Sequence, residues 1–91
     1  MRRHAEWMSI ADERILEFLR EHAPRQPKQI ADGLREAGLE YNDKYVGQRC
    51  IQLAEYGLLR NLGNGIYTIT EAGGQYLDGE LAAYTLEPVD D

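Results

Sequence analysis

Lys44, Gln48 and Gln52 stand four residues apart, the spacing that lines side chains along one side of an α-helix. Their chemistry suits base edges in a DNA groove. Gln48 can pair bidentately with adenine, and Lys44 can reach a guanine or a phosphate. Arg49 lies one step further round and is expected either to contact a phosphate or to pair with an acid. On the other side, Val46, Cys50, Leu53 and Gly57 recur at i, i+4, i+7 and i+11, an apolar stripe that must face inward. Asn42 is placed to cap this helix, with Asp43 against its positive end. Gly57 followed by Leu58 predicts a stop in which a left-handed glycine folds Leu58 back on Leu53. The helix predicted over 42–56 therefore presents Asp43, Lys44, Gly47, Gln48, Ile51 and Gln52 outward. The competing reading is an ordinary amphipathic helix with a solvated polar face.

Other chemistry finds little footing. His4 and His22 are far apart and Cys50 is the only cysteine, so neither a zinc site nor a Cys-His nucleophile is indicated. No G-x-x-x-x-G-K-[ST] or G-x-G-x-x-G loop is present, and the acids follow helix faces without forming a recognisable catalytic pair. The expectation is a protein that is not an enzyme, with no catalytic residues, no metal and no cofactor. Cys50 falls on the inward stripe and reads as a small buried thiol, not a redox sensor.

A chain of 91 residues, 43% hydrophobic and 29% charged, holds one modest core. No apolar run approaches the ~20 residues of a membrane span, and acids and a tryptophan interrupt the N-terminus where a signal peptide needs its apolar segment. A cytoplasmic protein with no membrane partner is expected. The net charge of −6 runs against phosphate binding, but its distribution is uneven. Residues 1–70 hold ten acids and ten bases, whereas residues 71–91 hold Glu71, Asp78, Glu80, Glu87, Asp90 and Asp91 and no base. Abundant acids and a preference for arginine over lysine suggest a surface kept hydrated in concentrated salt.

The elements that must position the polar row follow in order. Ser9 with Asp12 predicts a capped first helix with Ala11, Ile15, Leu16, Phe18 and Leu19 inward, ending near His22 before Pro24. Trp7 ahead of it either covers the end of the core or meets a second subunit. Pro27 opens a second helix with Ile30, Ala31, Leu34 and Ala37 inward, and Lys28 and Gln29 at its start could touch phosphate. LREAGL at 34–39 repeats the glycine-stop grammar of LAEYGL at 53–58. Two short helices joined by a tight turn, the second carrying the polar face, form a helix-turn-helix pattern. Leu58–Leu62 and Ile66–Thr70 flank Gly63-Asn64-Gly65 and predict a β-hairpin over 58–70. That hairpin carries Arg60 near its base and Asn64 at its tip, set to meet flanking DNA. Thr70 caps a last helix with Tyr76, Leu77, Leu81 and Tyr84 as apolar members, weakened by Gly73, Gly74 and Gly79 and therefore needing a partner to pack on. Tyr45 either rests half-buried against the hairpin or bonds a phosphate.

The fold class expected is mainly α with a small hairpin: a winged helix-turn-helix in the order helix, helix, helix, hairpin, helix, spanning 1–86, with an acidic tail at 87–91 that is loosely ordered at its end. The residues also resemble small haloarchaeal winged-helix proteins related to phage repressors, within the wider MarR-like and ArsR-like superfamily. Trp7-Met8 followed by Asp12 to Glu17 carries the likeness, as do Tyr45-Val46 with Arg49, LAEYGLL at 53–59, Tyr67 to Thr70 and YLDGEL at 76–81. That resemblance implies a sequence-specific, double-stranded-DNA-binding transcriptional regulator, repressor-like and homodimeric, in a halophilic archaeal cytoplasm. Relatives carry a serine and paired arginines after Tyr-Val where this chain has Gly47-Gln48-Arg49, which removes one phosphate or guanine contact.

The DNA-facing set expected is Asn42, Lys44, Gln48, Arg49 and Gln52 on the central helix, Lys28 on its neighbour, and Arg60 and Asn64 on the hairpin. Trp7, Leu81 and Tyr84 would form the dimer interface. The alternative is a winged helix that binds proteins and not DNA. Nothing in the residues identifies an effector, the target genes or the sign of regulation.

Overall fold

Glycine stops set the lengths of three of the four helices. In the computed structural model, which describes residues 1–89, the elements are α1 (Ile10–His22), α2 (Pro27–Glu36), α3 (Asp43–Glu55), β1 (Leu59–Asn61), β2 (Tyr67–Ile69) and α4 (Glu71–Leu77), then a 3-10 turn at Ala83–Thr85. Gly38, Gly57 and Gly79 all have positive φ. Beyond each, an N–H reaches back to a carbonyl five residues earlier: Leu39 to Leu34 at 2.9 Å, Leu58 to Leu53 at 3.0 Å and Glu80 to Gln75 at 2.8 Å. These bonds satisfy carbonyls that a helix end leaves without partners.

The starts are equally local. Asn42 Oδ1 accepts from the Tyr45 N–H at 2.8 Å, and such a cap stabilises a helix by about 1 kcal/mol. Asp12 accepts from the Ser9 N–H at 3.0 Å. Thr70 accepts from the Gly73 N–H at 3.1 Å and donates to the Gly57 carbonyl at 2.7 Å, tying the start of α4 to the stop of α3.

Ile15, Leu16 and Leu19 of α1, Ile30, Ala31 and Leu34 of α2, and Val46, Cys50 and Leu53 of α3 meet in one core, closed by Leu58, Leu59, Tyr67 and Tyr76. β1 and β2 pair antiparallel with Leu59 opposite Ile69, Arg60 opposite Thr68 and Asn61 opposite Tyr67. Asn64 and Gly65 at the tip both have positive φ, at 56° and 72°, as a type I′ turn demands. The turn end of the strand pair has a further attachment: Arg25, between α1 and α2, exchanges backbone bonds with Tyr67 at 3.0 and 2.8 Å.

Three expectations need correction. The last helix ends at Leu77, because Gly79 closes it as Gly38 and Gly57 close theirs, so Leu81 and Tyr84 lie beyond it. The backbone after Gly79 instead runs beside the N-terminal segment, where the Ala83 N–H donates to Arg3 O at 2.9 Å. Ala37 is exposed, since it is the cap residue of α2 and no longer on its inward face. Gly73 is required rather than merely tolerated. A Cβ there would lie 2.4 Å from Leu58 O and 2.6 Å from Ile69 Cγ1. The need of α4 for a partner is met by α1 and the hairpin, against which Tyr76 and Leu77 are buried. The loosely ordered acidic end expected at Asp90 and Asp91 lies outside the described residues.

Candidate nucleic-acid interface

Along α3, the side chains of Asp43, Lys44, Gln48, Ile51 and Glu55 are exposed, as is the cap residue Asn42. Lys44, Gln48 and Ile51 form the open row, at i, i+4 and i+7. Lys44 makes no ion pair among the described residues. Ile51, 56% exposed, adds an apolar group of the kind that contacts a thymine methyl.

Two residues expected on this row are turned elsewhere. Gly47 faces α2: a Cβ on it would stand 3.8 Å from Pro27 Cβ. The start of α2, and exposed Lys28 with it, lies against the middle of α3. Lys28 sits at the end of a 3.9 Å contact with Asp32. Gln52 is half-buried, and its Oε1 lies 3.4 Å from Arg49 Nη1.

Arg49 takes the second of its two expected roles, pairing with an acid. Its Nε and Nη2 each lie 2.7 Å from an oxygen of Asp12, and Nη2 also donates to Trp7 O at 2.9 Å. The Asp12 side chain is wholly buried and that of Arg49 is 17% exposed. Hydrogen bonding to Asp12 raises the Arg49 pKa against the opposing effect of burial, so the guanidinium is charged at every working pH. Because the same carboxylate receives the Ser9 N–H, the start of α1 and the middle of α3 form one unit.

The surroundings of that unit are aromatic. Trp7 stacks on Tyr56 with ring centroids 4.1 Å apart and planes within 10°, an arrangement that contributes about 1 kcal/mol beyond area burial. Trp7 lies half-buried against the core. Tyr45 packs on Tyr41, centroids 5.8 Å apart, and its hydroxyl lies 3.4 Å from Ser9 Oγ. It therefore leans on the start of α1 and not on the hairpin. Burial pushes the Cys50 thiol up to about 12, which leaves it neutral and unreactive.

Asp12 is the residue that local reading undervalued, since a capping acid needs no further explanation. Its signal was positional: Asp12, Leu16 and Leu19 fall at i, i+4 and i+7, so the acid sits on an inward stripe. Arg49 likewise falls between Val46 and Leu53.

On the hairpin, Arg60 and Asn64 are both exposed. Between α3 and the strands runs a groove lined by Ile51, Ala54, Glu55, Asn61, Tyr67 and Val89. Val89 enters it from the C-terminal segment, its N–H donating to Glu55 O. No group of histidines, cysteines and acids suited to a metal ion occurs among the described residues, and no helix among them is long and apolar enough to cross a membrane.

Three helices, a hairpin against the third, and a capped third helix open along its polar row define a winged helix-turn-helix, and the chain belongs to the winged helix-turn-helix phage repressor family, which matches residues 1–89. Membership supports a DNA-binding regulator of the repressor-like kind. Among particular relatives, the chain is 31% identical over 90 residues to the repressor protein of Halobacterium phage phiH, covering 96% of this chain and 98% of that one. The crystal structure of the PhiH1 repressor-like protein from Haloarcula marismortui superposes with a TM-score of 0.87 at 37% identity, covering 98% of each chain. One relative comes from a phage of Halobacterium and the other from Haloarcula marismortui, in keeping with the acid-rich composition.

Proposed function

We propose that the protein is a sequence-specific regulator of transcription that lays the helix at 42–56 in the major groove of double-stranded DNA and reaches flanking DNA with the hairpin at 58–70. The open row of Lys44, Gln48 and Ile51 carries this reading, because three side chains able to address base edges project from one capped helix beside an exposed hairpin. Asn42, with its amide nitrogen still able to donate, and Lys28 are assigned to the backbone near the start of α3. Arg60 and Asn64 are assigned to the flanking phosphates or minor groove. Gln52 supports the row from behind, and Arg49 acts through Asp12.

The regulator acts in the cytoplasm as a homodimer, with the domain spanning 1–86 and Trp7, Leu81 and Tyr84 at the two-fold interface. Tyr84 is 64% exposed and so available to a second copy of the chain. A two-fold pair would present its helices about 34 Å apart to a pseudopalindromic site.

Selection of duplexes from a random pool on purified protein at about 2 M potassium chloride, where distant charges are screened, tests this reading. Enrichment of an inverted repeat is the expected result. No enriched motif would favour the protein-binding alternative, which the net charge of −6 and the internal engagement of Arg49 support.

A further inference from the structure

Granted the DNA-binding role proposed above, we infer that the groove between α3 and the hairpin is a docking surface for the chain's own C-terminal segment, which competes there with DNA. The attachment has a physical cause. Glu55 O is a carbonyl that the end of α3 leaves without a helical partner, and the Val89 N–H donates to it. Val89 packs over Gly57, its Cγ2 3.5 Å from where a Cβ on that glycine would stand. It shares one side of the groove with Ile51 and Asn61, and a second cleft with Arg60 and Thr70. Of these, Ile51 and Arg60 belong to the DNA-facing set proposed above.

Charge gives the segment its competitive character. Glu87 precedes Val89, and the sequence continues with Asp90 and Asp91, with no base after Arg60. The segment therefore carries the same sign of charge as a phosphate backbone, and Val89 lines one cleft together with Arg60. The hold is light: Val89 remains 59% exposed and contributes one backbone bond, so DNA can displace it. A segment seated for nine-tenths of the time lowers apparent DNA affinity about tenfold, and screening in concentrated salt weakens the charged part of the competition.

Fluorescence anisotropy with a random-sequence DNA duplex tests this on three proteins: the full chain, a chain ending at Leu86, and Val89→Pro, which removes the donor to Glu55 and keeps every charge. The chain ending at Leu86 is expected to bind about tenfold more tightly at ~0.15 M salt and Val89→Pro about threefold, both gains shrinking as salt rises. Val89→Pro decides the matter if the shortened chain unfolds at lower temperature than the parent. Equal or weaker binding by both altered proteins, with the full chain still binding, overturns the docking and leaves the DNA-binding role intact. A gain on shortening with none from Val89→Pro also overturns it, since lost charge then suffices. Absence of binding by all three at every salt concentration overturns the DNA-binding role and the competition with it.

Discussion

The two sides of α3 each carry a cationic residue, and the two cations have opposite fates. Arg49, on the inward side, is held by a wholly buried Asp12 and by Trp7 O. Lys44, on the outward side, stands exposed beside Gln48 with no ionic partner among the described residues. Arginine's rigid fork fits a carboxylate at two points, whereas a lysine ammonium is a compact and well-hydrated charge. The comparison teaches that the role of a charged residue on a recognition helix follows from what stands opposite it. One side fixes the helix, and the other is left available for a partner.

Four changes break or sharpen this contrast. The largest effect is expected from Asp12→Ala, which strands a largely buried guanidinium and should lower unfolding stability by about 3 kcal/mol, measured by chemical denaturation. Adding Arg49→Met should recover most of that loss; no recovery would mean that Asp12 acts chiefly through the α1 cap.

Next comes the inward thiol. The Cys50 pKa rises from 9.0 to about 12 on folding, so the folded chain keeps a proton that the unfolded chain releases. Its contribution is fully present below pH 9 and is lost as pH climbs toward 12, with a slope of about 1.4 kcal/mol per pH unit. Cys50→Ala should flatten that part of the stability profile, and parallel profiles for the two proteins would contradict the assignment.

On the outward side, Gln48→Ala should weaken binding to a selected duplex about tenfold, or about 1.4 kcal/mol, with an unchanged melting temperature. Unchanged affinity in a gel-shift titration would remove Gln48 from the base-facing row. The smallest effect belongs to Lys44→Ala, which should reduce the slope of log affinity against log salt by about 0.9 if Lys44 meets a phosphate. A preserved slope with altered base preference would move it to a guanine.

Much of the architecture was legible because its determinants are local. Asn42, the Thr70 cap on Gly73 and the glycines at 38 and 57 act within six residues of themselves, and Asn64-Gly65 sets the hairpin tip. The same logic applied to Gly79 would have ended α4 in the right place, but the apolar residues Leu81 and Tyr84 suggested a longer helix. What escaped local reading depends on distant neighbours. Asp12 and Arg49 are 37 residues apart, Gly47 faces Pro27, and Gly73 leaves no room for a side chain beside Leu58 O. Val89 reaching Glu55 is likewise a matter of how the chain returns on itself. The candidate DNA-facing row shifted for one reason: Gln52 turns toward Arg49, and Ile51 takes its place.

The two backbone bonds from Arg25 to Tyr67 make the hairpin a cantilever, built in at one end and free at the other. Bending is confined to the span beyond Asn61 and Tyr67, so the overhang can be lengthened or exchanged by grafting at Asn64 while its mounting and the helices behind it stay in place.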